Sequence, residues 1–210
     1  MNGKLIVFEG VEGCGKTTQM QLCSQWLASL GVSVVLTREP GGTELGKDLR
    51  RLLLEKSEDK PVNEITELLL YAADRAQHTA QELKPNLAQG KYILCDRYTD
   101  STIAYQGYGR GLNMSLIQQL NDIATGGLQS DLTIWLDVDV EVGLARKRGQ
   151  SKLDRIEQEA IDFHYRVQQG YTELAINYPD RIVRFDGSLS QELVHINIQE
   201  ILISRIIERR

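Results

Sequence analysis

The chain lacks most of the features that mark unusual protein classes. Four prolines in 210 residues and an aromatic fraction of 6% argue against a low-complexity or membrane class. No long hydrophobic run opens the sequence. The first apolar stretch, Leu5–Phe8, is too short for a signal core and far short of a membrane span, so a cytoplasmic protein with no membrane partner is expected. An excess of basic residues is also missing. A formal net charge of −5 disfavours sequence-independent binding of nucleic acid, which needs a broad cationic surface to displace counterions. Any phosphate must be held by local devices. The three cysteines, Cys14, Cys23 and Cys95, are odd in number and lack metal-ligand spacing, which reads as reduced thiols and no zinc. No Asn-Lys-x-Asp guanine-reading motif is found, and no Leu-Ser-Gly-Gly-Gln transporter signature. His78, His164 and His195 are scattered and read as packing or surface residues.

What is present is ordinary in bulk, with 41% hydrophobic and 25% charged residues. A chain of this length suits one domain, spanning 1–210, that buries roughly 70% of its unfolded surface. Five short apolar runs, Leu5–Phe8, Val32–Leu36, Tyr92–Cys95, Leu132–Leu136 and Ile182–Phe185, are bounded by turn residues and separated by helical periodicity. That alternation predicts an α/β fold: a five-stranded parallel sheet with helices on both faces. Helical spacing is read over Thr17–Leu30, Glu44–Leu54, Glu64–Leu83, Ser115–Ala124, Arg155–Ile176 and Gln191–Ile207. Between two of these, Ala145–Arg155 gathers Arg146, Lys147, Arg148, Lys152 and Arg155 around Gly149, and reads as a surface loop. A solvated charge run is the blander alternative.

Gly10-Val11-Glu12-Gly13-Cys14-Gly15-Lys16-Thr17 matches G-x-x-x-x-G-K-[ST] at every fixed position, after the predicted strand Lys4–Glu9 and before a predicted helix. Backbone N–H groups of such a loop, together with the helix N-terminus, cradle phosphate oxygens. The motif therefore predicts an ATP-binding P-loop running from Gly10 to Thr18, with Lys16 reaching the β- and γ-phosphates and Thr17 ligating Mg²⁺. Asp96 ends an apolar strand, where open α/β sheets bind ligands, and is the second candidate for the metal. Read alone, it could equally begin a turn. Arg97 beside it would bridge donor and acceptor phosphates. Phosphoryl transfer needs further positive charge, and the variable loop positions Val11 to Cys14 carry none. The Arg146–Arg155 stretch is the expected source, acting as a lid at about 145–155.

Taken together, the P-loop, Arg38-Glu-Pro-Gly-Gly42, Tyr71-Ala-Ala-Asp-Arg75, Asp96-Arg-Tyr98, Tyr105-Gln-Gly-Tyr-Gly-Arg-Gly111 and Leu153-Asp-Arg-Ile-Glu-Gln158 resemble bacterial thymidylate kinases, the type with basic residues in the lid. The resemblance runs from Leu5 to about Phe185 and implies a P-loop NTPase fold that uses ATP and Mg²⁺ to phosphorylate deoxythymidine monophosphate (dTMP). It implies that Arg38 and Arg50 bind the acceptor phosphate, that Tyr71 stacks on thymine, and that Arg75, Thr102 and Gln106 meet the base edge. Tyr105 would wall off a ribose 2′-hydroxyl, and Glu12 would approach the sugar 3′-hydroxyl. Among lid residues, Arg148 best fits the catalytic cation, with Arg146 and Lys152 as competitors. A homodimer is implied as well. Taken singly, Tyr71 and Tyr105 could be core aromatics, and the three arginines Arg38, Arg50 and Arg75 surface partners of carboxylates. Two other functions stay open on the residues: a kinase for another nucleoside monophosphate, and a regulatory switch that reports its nucleotide state to a partner.

Overall fold

Each of the five apolar runs becomes a strand of one all-parallel sheet in the computed structural model, which describes residues 3–55, 62–148 and 154–207. The strands are β1 (Lys4–Glu9), β2 (Val34–Arg38), β3 (Tyr92–Asp96), β4 (Leu132–Asp137) and β5 (Ile182–Asp186), in spatial order β2-β3-β1-β4-β5. β1 is central, and the chain steps to opposite sides of it before and after β3. That reversal opens a crevice beyond the C-terminal ends of the strands, where α/β sheets bind their ligands. The register brings three candidate segments to one edge, because Phe8 and Arg38 both pair with Asp96.

Side-chain alternation along the strands divides the interior in two. Ile6, Phe8, Leu94 and Ile134 meet helix α1 (Lys16–Ser29) through Met20, Cys23 and Leu27, and helix α9 (Gln191–Leu202) through Val194 and Ile198. Leu5, Val7, Ile93 and Cys95 face the other way, onto Leu83 and Tyr98. The three thiols are free and buried.

Helices α2 (Glu44–Leu54) and α3 (Glu64–His78) begin on Thr43 and Asn63, whose side chains accept the N–H groups of Gly46 and Ile65. Such caps hold otherwise unpaired donors. The predicted helix Glu64–Leu83 is divided: after α3 the chain continues through a wide π-type segment, Thr79–Leu83, into α4 (Lys84–Ala88). Helix α5 (Thr99–Thr102) likewise runs into a π-type segment, Ile103–Gly109, before α6 (Met114–Thr125).

The expected lid differs most. Ala145–Arg148 is no loop but the end of helix α7 (Val140–Arg148), while 149–153, with Gly149 and Lys152, lie outside the described residues. Helix α8 (Ile161–Asn177) starts at Ile161 rather than Arg155. The cause is a clipped turn: Asp154 and Glu157 exchange backbone-to-carboxylate bonds of 2.9 Å in both directions. The Arg155 N–H and Nε donate to the carbonyls of Leu54 (3.1 Å) and Leu53 (2.8 Å) at the end of α2. Those local bonds outcompete helical continuation.

Candidate functional site

The loop leaving β1 is held open by glycine. Gly13 and Gly15 have φ of +73° and +99°, in the left-handed region that side chains avoid. A Cβ on Gly13 would lie 2.1 Å from the Gly143 carbonyl oxygen, so α7 packs glycine against glycine directly on the loop. A Cβ at Gly15 would meet nothing within 4 Å among the described residues, and this open point is the N-cap of α1, where backbone N–H groups and the helix dipole favour an anion. Lys16 is 6% exposed, and its Nζ donates to the carbonyls of Gly10 (3.1 Å) and Val11 (3.3 Å). Burial and Arg97 pull its pKa down, Cys14, Glu12 and Asp96 push it up, and the balance is upward, so it carries its charge.

A cleft of about 270 Å³ lies against this loop. Glu12, Gly13, Gly15, Lys16, Thr17 and Thr18 line it, whereas Gly10, Val11 and Cys14 do not, Val11 and Cys14 turning their side chains into the core. The predicted acceptor residues converge there from four places: Arg38 at the end of β2, Arg50 on α2, Tyr71 and Arg75 on α3, and Arg97, Thr102, Tyr105 and Gln106 after β3. Asp96 is with them. From the basic end of α7 it is Lys147 that lines the cleft, 3.4 Å from the Glu157 carboxylate. Arg146 is exposed and reaches the Gly187 carbonyl at 3.5 Å, and Arg148 is exposed at the helix end.

Arg97 adopts φ 72° and extends into a group of anions and hydroxyls. It pairs with Glu12, donates to Ser101 Oγ and the Tyr171 hydroxyl at 3.2 Å each, and lies 3.9 Å from Glu9. Its guanidinium also sits 4.8 Å from the Tyr105 ring centroid. For Glu12, burial alone would raise the pKa, but Arg97 and Lys16 hold the carboxyl down at about 2. Beneath them Glu9 is fully buried and accepts from the N–H groups of Tyr98 (2.9 Å) and Ser101 (3.1 Å), Ser101 Oγ (2.6 Å) and the Tyr171 hydroxyl (2.7 Å). Burial raises its pKa despite Arg97.

Arg75 is as firmly held. Its Nε donates to Glu39 at 2.8 Å, Nη1 to Thr102 Oγ1 and Asn121 Oδ1 at 2.7 Å each, and Nη2 to the Tyr98 carbonyl at 2.8 Å. Among the described residues, one of the five guanidinium N–H groups is left without a bond and remains for a ligand. Arg50 donates to the Pro40 carbonyl at 3.0 Å, and Arg38 stands exposed at the rim.

Sequence reasoning missed Glu9, Glu39, Ser101 and Tyr171, which fix the arginines from behind. Glu9 had a visible signal, being an anion closing a strand that is otherwise apolar from Leu5 to Phe8. Tyr171, 74 positions from Arg97, had none.

The donor set suits a hard cation. Asp96 Oδ1 is buried with no hydrogen-bond partner among the described residues, and Thr17 lines the same cleft. No three His, Cys, Asp or Glu side chains gather into a metal cage among those residues. This fits Mg²⁺, which keeps waters and is shared with substrate phosphates.

The chain matches the family model described as "Thymidylate kinase" over residues 8–198. It is 82% identical to a thymidylate kinase of Nostoc punctiforme, with 96% of each chain covered, and 56% identical to that of Trichodesmium erythraeum, with 99% and 98% covered. A crystal structure of thymidylate kinase from Ehrlichia chaffeensis superposes with a TM-score of 0.78 at 37% identity, covering 96% of this chain and 99% of that one. The P-loop NTPase fold expected from the sequence is therefore established.

Proposed function

Because the chain belongs to the thymidylate kinase family, we propose that it transfers the γ-phosphate of ATP to dTMP, yielding dTDP and ADP for dTTP synthesis. The observation that carries this reading is convergence: every acceptor-side residue implied by resemblance lines one cleft with the P-loop.

ATP phosphates lie along the Gly13–Lys16 backbone, and Lys16 exchanges its two loop carbonyls for the β- and γ-oxygens. Thr17 and Asp96 would hold Mg²⁺, which when bound would neutralise charge on those oxygens. Arg38 and Arg50 receive the acceptor phosphate with planar guanidinium forks. Arg97, bridging Glu12 and the cleft, holds donor and acceptor phosphates in line. Glu12 stays ionised at any working pH, since its pKa is held near 2, and accepts from the sugar 3′-hydroxyl. Tyr71 stacks on the base, the remaining Arg75 N–H, Thr102 and Gln106 meet its edge, and Tyr105 excludes a 2′-hydroxyl. Arg148 supplies charge to the transition state from the end of α7, and Lys147 and Arg146 are its neighbours on that turn.

Family resemblance also supports a cytoplasmic homodimer. Leu52 on α2, Leu69 on α3 and Ile123 on α6 are exposed on helices that pack side by side, which suits a second copy. Among the described residues no helix is long and apolar enough to cross a membrane.

ADP release measured over a panel of nucleoside monophosphates tests the assignment. Turnover should be highest with dTMP, and a preference for a purine or a ribonucleotide would overturn it.

A further inference from the structure

Glu67 lies on α3, one turn before Tyr71, and does not itself line the cleft. It is a fully buried anion with an unusual number of donors. Gln106 Nε2 donates to its Oε1 at 2.8 Å, Arg110 Nε and Nη2 donate at 3.3 and 3.2 Å, and Arg155 Nη2 donates to Oε2 at 2.6 Å. Burial would raise its pKa, yet Arg110, Gln106 and Arg155 together hold it below the ordinary carboxylate value. An ionised carboxylate only accepts hydrogen bonds, so the group facing it must be the amide nitrogen of Gln106. The opposite orientation would set Oε1 against the carboxylate oxygens. Gln106 is itself 2% exposed and lines the cleft, and its Oε1 is then the group it can offer there.

We infer that Glu67 determines which base the kinase accepts, by locking the Gln106 amide so that this side chain presents a hydrogen-bond acceptor and never a donor to the base. The inference rests on the reading of the cleft as a dTMP site. Thymine carries N3–H beside the O4 acceptor, which match Gln106 Oε1 and the free Arg75 N–H respectively. Cytosine reverses both groups: its N3 lone pair would face Oε1, and its 4-amino group would face the guanidinium. Free to rotate, a glutamine would accommodate cytosine by turning its amide over. Pinned by Glu67, it leaves the wrong base with buried polar groups unpaired, which is how hydrogen-bonding sites reject analogues strongly.

The test compares kcat/KM for dTMP, dUMP and dCMP in the full-length protein. In E67Q the introduced amide can donate or accept, so Gln106 is released. The dTMP-to-dCMP ratio should fall by about tenfold or more, while the dTMP-to-dUMP ratio, which reads only the methyl pocket, stays at the wild-type value. Arg110→Lys, which loosens the same ion cluster without touching the Gln106 bond, should keep both ratios. An E67Q ratio for dCMP equal to wild type overturns the inference, as does a parallel collapse of both ratios, the sign of a merely loosened pocket. Should E67Q fail to fold by circular dichroism, the swap E67Q/Q106E decides alone, because a carboxylate at position 106 is again acceptor-only. It should reject dCMP as wild type does, and loss of rejection overturns the idea. Failure of wild type to prefer dTMP would instead strike the functional reading itself.

Discussion

Arg97 combines a left-handed backbone with a side chain whose hydrogen-bonding partners on both sides are themselves tied down. A non-glycine residue at positive φ costs of order 1–3 kcal/mol and persists only where its surroundings over-determine it. Here they do so through Glu9, which binds the N–H of Tyr98 next in sequence and the Ser101 and Tyr171 hydroxyls that Arg97 also uses. Glu9→Ala would leave an arginine, two backbone donors and two hydroxyls without their buried acceptor. Removing one member of such a network costs about 3–5 kcal/mol, and the urea midpoint should drop accordingly. Glu9→Gln, which retains an acceptor oxygen, should lose less. A midpoint unchanged in Glu9→Ala would show that Arg97 is positioned by Glu12 alone.

At the scale of elements, α7 joins fold to chemistry. Its Gly143 meets the P-loop backbone so closely that a Cβ there would fall 2.5 Å from the Glu12 carbonyl oxygen, and its last turn carries Arg146, Lys147 and Arg148. Arg148→Ala should lower kcat by a hundredfold or more, an order set by the range for arginine fingers, with little change in the KM for dTMP, since the contact forms mainly in the transition state. If Lys147→Ala takes that loss and Arg148→Ala does not, the cation is Lys147. Helix α7 was also the element least legible in the sequence. Its last turn, Ala145–Arg148, was read with the basic stretch that follows it as a loop, because three consecutive basic residues near Gly149 carry no apolar periodicity, and the Gly143 contact with the P-loop leaves no local signal. The central strands β1, β3 and β4 were legible because both faces are buried, which demands continuous apolar runs. Local pattern also located the P-loop and Asp96. The acceptor residues came from resemblance, and the carboxylates and hydroxyls that hold them, such as Glu39 behind Arg75, arrive from distant segments that no periodicity marks.

Across the whole molecule, stability should respond to pH through Asp74. The Gly41 N–H donates to its Oδ1 at 3.0 Å, but Oδ2 is buried without a partner among the described residues. Burial first, and then Glu39, push its pKa up from 3.8 to about 6. With the folded value above the unfolded one, the native chain binds the extra proton between those values. Stability therefore falls as pH rises through that window and stays lower above it, by on the order of 2–3 kcal/mol. Asp74→Asn, neutral throughout, should gain on wild type by about twice as much at pH 8 as at pH 5, where roughly half of the loss has set in. Equal melting differences at the two pH values would exclude the carboxyl as the source.

The central position of β1 has a consequence in time. It is the first strand made, yet its neighbour β4 begins at Leu132 and the α7 glycine that seats the P-loop lies further on. At about 5–20 residues per second, a ribosome takes roughly six to twenty-five seconds to travel from the end of β1 to that point. Throughout that interval the nascent chain carries a nucleotide loop without its seat and an apolar strand with both edges bare until β3 is made and one bare thereafter. ATP therefore has no seated loop to stabilise until α7 has been made.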